Sequence, residues 1–232
     1  MSEYKFSILI PAYNEELTIG TVLSDLQEKY KNIAEIIVIN DGSTDNTSQI
    51  VMQYPHVRLI THRHNYGYGA SLKTGVLEAS TNIVCFFDAD GQHDPDDIMK
   101  LYNKCGQVDM VVGSRGLKAF SNIHRAPGKL FLHLLANYLS GRKIPDLNSG
   151  LRLIRRDLIK NYLHLLPNGF SASTTTTMIM LCRNYEVLYE NICVKQRKGK
   201  SQIKQIRDGH ATILTILRTL LLFNPMKFFT PF

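Results

Sequence analysis

The sequence predicts an α/β fold, a mostly parallel sheet covered by helices on both faces. Three observations point there. Short, β-rich apolar runs alternate with stretches of helical pattern through the first half of the chain. Hydrophobic residues make up 44% of the 232 residues, enough to bury the core of one large domain, or of a domain with a small extension. Polar and charged residues gather just beyond the apolar runs, which is where open α/β sheets bind ligands.

The elements follow in order. FSILIPA (6–12) reads as the first strand, ending in Ala12-Tyr13-Asn14-Glu15 and a helix near 16–29. EIIVIND (35–41) is the second and runs into Asp41-Gly42-Ser43. Ser43-Thr44-Asp45 then offers the side-chain oxygens that start helices, here one near 45–53. VRLITH (57–62) is the third strand, followed by a helix near 70–79. GYGASL (67–72) has two glycines at nucleotide-fingerprint spacing, but Leu72 stands where a third would be, and the stretch follows the third strand instead of the first. No GxxxxGK[ST] occurs, so both nucleotide fingerprints fail and GYGAS reads as a turn into a helix. IVCFFDAD (83–90) is the fourth strand. Asp94-Pro95 opens a helix at 95–105, with proline in the first turn, where its missing N–H costs nothing. MVVGSR (110–115) is the fifth strand. The second half is less regular: 123–140, 157–165 and 174–184 look helical, EVLYENICVKQ (186–196) is β-like, and a basic loop, RKGKSQIK (197–204), precedes the last segment.

Charge is divided unevenly. Residues 1–114 hold 8 Lys and Arg against 15 Asp and Glu, a net of −7, whereas residues 115–232 hold 19 against 5, a net of +14. The acidic half suits a cation. The basic half suits anions: phosphate, nucleic acid or an anionic lipid surface. Nucleic acid is disfavoured, because no DNA- or RNA-reading motif accompanies the basic residues. Cys85, Cys105, Cys182 and Cys193 form no CxxC pair and no regular framework, so reduced thiols are expected. MSEYKFSILIPAYNEE lacks a signal-peptide layout, its apolar stretch being short and broken by Pro11.

The fourth apolar run ends in Asp88 and Asp90. In an extended chain these residues share a face, with Cα atoms about 6.5 Å apart. Two like charges that close call for a cation or solvent between them. Oxygen ligands with no His or Cys partner suit Mg²⁺ or Mn²⁺, which usually borrow substrate phosphates as further ligands. Gln92 adds a neutral oxygen and His93 a further ligand, while Asp94 reads as a helix cap. The stretch therefore reads as a metal-diphosphate site.

SILIPAYNEE, EIIVINDGSTDNT, HNYGYGASLKTGV, FFDADGQHDP and VVGSR together strongly resemble the family 2 glycosyltransferases with the GT-A fold, a Rossmann-like sheet flanked by helices. DLNSGLRLIRRD and RKGKSQI resemble the dolichyl-phosphate mannose synthase and polyprenyl-phosphate glycosyltransferase branch. The resemblance spans about residues 5–225. It implies that Pro11, Ala12, Tyr13, Glu15 and Asp41 line the pocket for the donor's base and ribose. Asp88, Asp90 and Gln92 would hold Mg²⁺ or Mn²⁺ on the diphosphate, and Arg115 would face phosphate. Asp146 would lie near the acceptor. Arg197, Lys200 and Ser201 would belong to a mobile basic loop closing over donor and acceptor phosphates. Gln202 departs from the pattern, since many relatives carry Lys there.

The expected reaction is metal-dependent, inverting transfer of a sugar from a UDP-, GDP- or dTDP-linked donor to a polyprenyl phosphate. The leaving diphosphate needs electrostatic stabilisation. A lipid phosphate is already an anion at pH 7 and needs cations more than a base. A glycan or protein hydroxyl acceptor would instead demand a base, with Asp146 as the candidate. A catalytically silent nucleotide-sugar-binding subunit is the reading from another class, and the intact Asp88, Asp90 and Arg115 speak against it. ILTILRTLLLF (213–223) is too short for a spanning helix, which needs about 20 apolar residues. With Lys204, Arg207, Arg218 and Lys227 around it, it suits an amphipathic helix in a membrane interface or one packed on the sheet. The expected organisation is a catalytic domain at 1–205 and an amphipathic segment at 206–232, working peripherally at the cytoplasmic face of a membrane.

Overall fold

The structure, a computed structural model, describes residues 4–116, 137–138, 141–195, 218 and 221. Among the described residues seven strands form one sheet. In chain order the elements are β1 (Phe6–Ala12), α1 (Ile19–Tyr30), β2 (Ala34–Asn40), α2 (Thr47–Val51), β3 (Val57–Thr61), α3 (Tyr68–Glu78), β4 (Ile83–Phe86), α4 (Asp96–Cys105), β5 (Met110–Ser114), β6 (Arg152–Arg155), α5 (Arg156–Lys160), a 3₁₀ turn at Leu163–Leu165, α6 (Ala172–Cys182) and β7 (Val187–Asn191). The spatial order is β3-β2-β1-β4-β6-β5-β7. Neighbouring strands run parallel except β6, which is antiparallel to both β4 and β5.

All seven residues of β1 are buried, as expected for a parallel strand covered on both faces. Alternate side chains serve opposite layers. Ile8 and Ile10 pack with Ile19, Val22, Leu23 and Leu26 of α1 and with Ile98 and Leu101 of α4. Leu9 joins Ile37 and Ile39 of β2, Leu72 and Val76 of α3, and Ile179 and Met180 of α6. The apolar positions of α1 recur every three or four residues, which aims one stripe at the sheet. In α6, residues Ala172 to Leu181 are buried all round, including a run of Ser and Thr. Thr175, Thr176 and Thr177 turn their hydroxyls back onto the carbonyls four residues earlier, which satisfies them inside the core.

The structure departs from the sequence expectation at three places. The fourth strand stops at Phe86, so the extended spacing does not describe Asp88 and Asp90; residues 89–90 form a turn, and Gly91 follows at φ 71°. RLIR at 152–155 is a strand that sequence pattern did not reveal. The helix expected at 157–165 is one short helix followed by a 3₁₀ turn. Most of 123–140, all of 197–204, and all of the 206–232 segment except 218 and 221 lie outside the described residues. Among the described residues no helix is long and apolar enough to cross a membrane. No disulfide joins Cys85, Cys105, Cys182 and Cys193.

Candidate active site

The parallel strands deliver their last residues to one edge of the sheet. Pro11 and Ala12 are the buried end of β1, paired with Ile39 and Asn40 of β2, and the backbone N–H of Asp41 donates to the Ala12 carbonyl at 2.8 Å. Tyr13, Asn14 and Glu15 make the turn that follows, with Asn14 in the left-handed region at φ 53°. That turn is laced to the one after β2: Asn14 N–H donates to Ser43 Oγ, Glu15 N–H to Thr47 Oγ1 and Thr44 N–H to Asn14 Oδ1. Asp45, expected to start a helix, accepts from the N–H and hydroxyl of Thr47.

Asp41 is buried, and its carboxylate organises the loop after β3. Oδ1 accepts from Tyr66 N–H at 3.0 Å and meets His62 Nδ1 at 2.7 Å, while Oδ2 accepts from Gly67 N–H at 2.7 Å. Gly67 then starts α3 at φ 104°. The carbonyl of Asn168 closes that end by accepting from the N–H groups of Gly69 and Ala70. GYGAS is thus the turn into a helix that the failed fingerprint implied.

Asp88 and Asp90 sit in different surroundings. Asp88 is about a quarter exposed. Its Oδ1 accepts from the Tyr68 hydroxyl at 2.9 Å, and its Oδ2 lies 3.2 Å from His93 Nε2. Burial pushes its pKa up, but the His93 and Tyr68 contacts outweigh that and hold it below the usual carboxylate range. Gly150 backs against it, and a Cβ there would stand 2.0 Å from Asp88 Oδ2. Asp90 is 8% exposed, with Oδ1 accepting from Gln92 N–H at 3.1 Å. His93, expected as a ligand, turns Nε2 to Asp88 and buries Nδ1 without a partner among the described residues. The Gln92 carbonyl accepts from Lys195 N–H, and the isolated bridge between His93 and Val194 pins this turn to the segment that follows β7. Asp94 caps: its Oδ1 accepts from Asp96 N–H.

Arg115 and Asp146 meet each other. The guanidinium donates to Asp146 through Nε at 2.7 Å and Nη2 at 2.9 Å, and the Arg115 and Asn148 N–H groups also donate to that carboxylate. Burial raises the Asp146 pKa, but Arg115 more than offsets it, so the carboxyl titrates below its ordinary value; the pair in turn raises Arg115. An acid held this way makes a poor proton acceptor. Arg197, Lys200 and Ser201 lie outside the described residues.

The comparisons with known proteins agree with this frame. Residues 7–163 match the family described as glycosyl transferase family 2. The chain is a family 2 glycosyltransferase. It is 34% identical over 185 residues to the UDP-N-acetylglucosamine–dolichyl-phosphate N-acetylglucosaminyltransferase of Methanococcus voltae, covering 69% of this chain and 73% of that one. It is 28% identical over 228 residues to the dolichyl-phosphate hexose transferase of Haloferax volcanii, covering 95% and 97%. Its fold is shared, with a TM-score of 0.75, by glucosyl-3-phosphoglycerate synthase of Mycobacterium tuberculosis, crystallised with Mn²⁺, uridine diphosphate and glucosyl-3-phosphoglycerate; identity is 21%, over 94% of this chain and 80% of that one.

Sequence reasoning on this family 2 glycosyltransferase missed Tyr68, Gly150 and Arg152. Tyr68 lay in the glycine stretch set aside as a turn. Gly150 and Arg152 lay inside DLNSGLRLIRRD, whose strand went unread. The neighbouring basic residues are structural: Arg155 pairs with Asp157 and Asp109, and Arg156 donates to the Val76 and Leu77 carbonyls at the end of α3.

Proposed function

We propose that this glycosyltransferase moves a sugar from a nucleotide-sugar donor to a polyprenyl phosphate, inverting the anomeric carbon in a single displacement. The state of the buried acids carries the choice of acceptor. Asp41 and Asp146 each have both carboxylate oxygens engaged by other groups of the chain. A hydroxyl acceptor needs a base to take its proton. A phosphate acceptor arrives as an anion and needs none. The dolichyl-phosphate transferases among the relatives support the same acceptor, and the N-acetylglucosaminyltransferase and the uridine diphosphate of the structural neighbour favour a UDP-sugar donor.

Asp90 and Asp88, with the Gln92 amide oxygen, are the residues that would hold Mg²⁺ or Mn²⁺. Among the described residues no group of three or more His, Cys, Asp or Glu is placed to cage a metal ion. That fits a hard cation that keeps waters and takes substrate phosphates as its remaining ligands. When bound, such an ion neutralises charge on the leaving diphosphate. The chain's own groups do the rest. Tyr68 and His93 orient Asp88, and Asp146 fixes Arg115 in one rotamer at the end of β5. Pro11, Ala12, Tyr13, Glu15 and Asp41 line the base and ribose pocket. Arg197, Lys200 and Ser201 contribute charge and hydrogen bonds to the phosphates. In this reading residues 1–205 are the catalytic domain and 206–232 the amphipathic segment that brings the enzyme to the cytoplasmic face of a membrane.

The test incubates the protein with labelled UDP-, GDP- and dTDP-sugars, a polyprenyl phosphate and Mn²⁺ or Mg²⁺. A chloroform-extractable labelled product is expected. Label transferred only to water-soluble glycans or proteins, or no transfer from any donor, defeats the reading.

A further inference from the structure

Arg152 opens β6, and its register sets it beside Phe86, the last residue of β4, and Val112 of β5. Beyond the end of β4 the chain continues to Asp88 and Asp90, and beyond the end of β5 to Arg115. No part of Arg152 reaches solvent. Its Nη1 donates to the Ser173 carbonyl at 2.7 Å and to the Thr177 hydroxyl at 3.1 Å, and its Nη2 donates to the Ser149 carbonyl. Its Nε has no partner among the described residues. Every one of these acceptors is neutral, and none of the described ion pairs includes Arg152. A guanidinium buried without a carboxylate costs far more than an apolar side chain of similar bulk, which would fill the same space. The charge does have anions to act on at longer range, Asp146 and Asp88. Its bond to Ser149 also fixes the segment that presses Gly150 against Asp88.

We propose that Arg152 is a positioning residue that supplies, from beneath the strand ends, the positive charge that lets ionised Asp88 and Asp146 share one site with a nucleoside diphosphate, while touching none of them. The proposal rests on the donor reading above. It makes the charge itself dispensable for folding and needed for anion binding. Arg152→Lys keeps the charge and several donors; Arg152→Gln keeps a donor and removes the charge. Calorimetry with UDP, GDP and dTDP in the presence of Mn²⁺ gives the affinity of each protein for whichever diphosphate the wild type binds, and urea titration reports the fold. Arg152→Lys is expected within about threefold of wild type. Arg152→Gln is expected to fold and to bind about tenfold more weakly, the effect of one charge acting across roughly 10 Å at an effective dielectric near 20. A structural role would weaken both variants alike, and that result overturns the proposal. So does an Arg152→Gln protein that binds like wild type, or one that fails to fold. A wild-type protein that binds none of the three diphosphates with Mn²⁺ removes the donor reading itself, a different failure.

Discussion

At the scale of single residues, the site is a set of carboxylates given unlike tasks by their neighbours. Asp90 carries the proposed cation, so Asp90→Ala should lose nearly all turnover while keeping the wild-type urea midpoint; normal turnover in that variant would refute the metal assignment. Asp88 is held in place, and Gly150 leaves room for it. Gly150→Ala places a Cβ 2.0 Å from Asp88 Oδ2, so the carboxylate must move away from Tyr68 and His93. Displacing a catalytic group by about 1 Å can cost about 100-fold in rate. A drop in kcat/KM of that order is expected in Gly150→Ala, and kinetics within twofold of wild type would show that Asp88 needs no such placement. Asp146 gives a pH signature. Its folded pKa lies below the ordinary value, so its contribution to stability is full above the unfolded pKa of about 3.9 and is lost as pH falls through the lower folded value. Asp146→Asn should cost about 1–2 kcal/mol at pH 7, the worth of charged hydrogen bonds to a partner about a third exposed. The gap between the two urea midpoints should then narrow below about pH 4. A gap that stays constant from pH 7 to pH 3 would mean that the Arg115 pair does not set it.

At the scale of elements, what could be read from sequence follows from how much of each signal is local. The strands at 6–12, 34–40, 57–61 and 110–114 are apolar runs that need no partner to be recognised. The parallel arrangement followed from the helices between them. Arg152–Arg155 was illegible because a four-residue strand with arginine at both ends has the composition of a surface turn. Only insertion between β4 and β5 makes it a strand, and only burial under α6 makes its first arginine internal. The end of β4 was misread for the opposite reason: Phe87 and Ala89 are apolar and buried, so the pattern continues after the ladder has stopped. The site residues divide the same way. Asp88, Asp90, Arg115 and Asp146 stood out as charges in motifs, whereas the pairing of Arg115 with Asp146 spans 31 residues and exists only in the fold. The start of α3 offers an element-scale test. A Cβ on Gly69 would stand 2.1 Å from the Pro167 carbonyl oxygen, on the segment whose Asn168 closes that helix end. Backbone cannot yield as a side-chain tip can, so Gly69→Ala should destabilise by about 1–3 kcal/mol. A urea midpoint equal to wild type would show that the 167–169 segment moves freely.

At the scale of the whole molecule, the uneven charge makes physical sense if two partners of opposite character meet at one end of the sheet. Residues 1–114, at −7, supply the carboxylates suited to a cation, and residues 115–232, at +14, face the problem of holding anions. In the proposed reading the polyprenyl phosphate acceptor stays in its bilayer, so the enzyme would have to reach the lipid surface to meet it. Surface attraction of this kind is worth about 1 kcal/mol per basic residue and decays within a Debye length, which shrinks from roughly 14 Å at 0.05 M salt to about 4 Å at 0.5 M. Cosedimentation of the full chain with vesicles of mixed anionic and neutral phospholipid should therefore be strong at 0.05 M salt and lost by 0.5 M. Vesicles of neutral phospholipid alone should bind weakly at either concentration. Replacing Arg207, Arg218 and Lys227 together by alanine removes three charges from the segment proposed to be amphipathic, so binding to anionic vesicles should weaken by about 100-fold. Turnover of a short, water-soluble polyprenyl phosphate analogue should change far less, because that substrate needs no surface. Equal binding to neutral and anionic vesicles, or indifference to the triple replacement, would place membrane attraction elsewhere and leave the charge of the second half to the substrate phosphates alone.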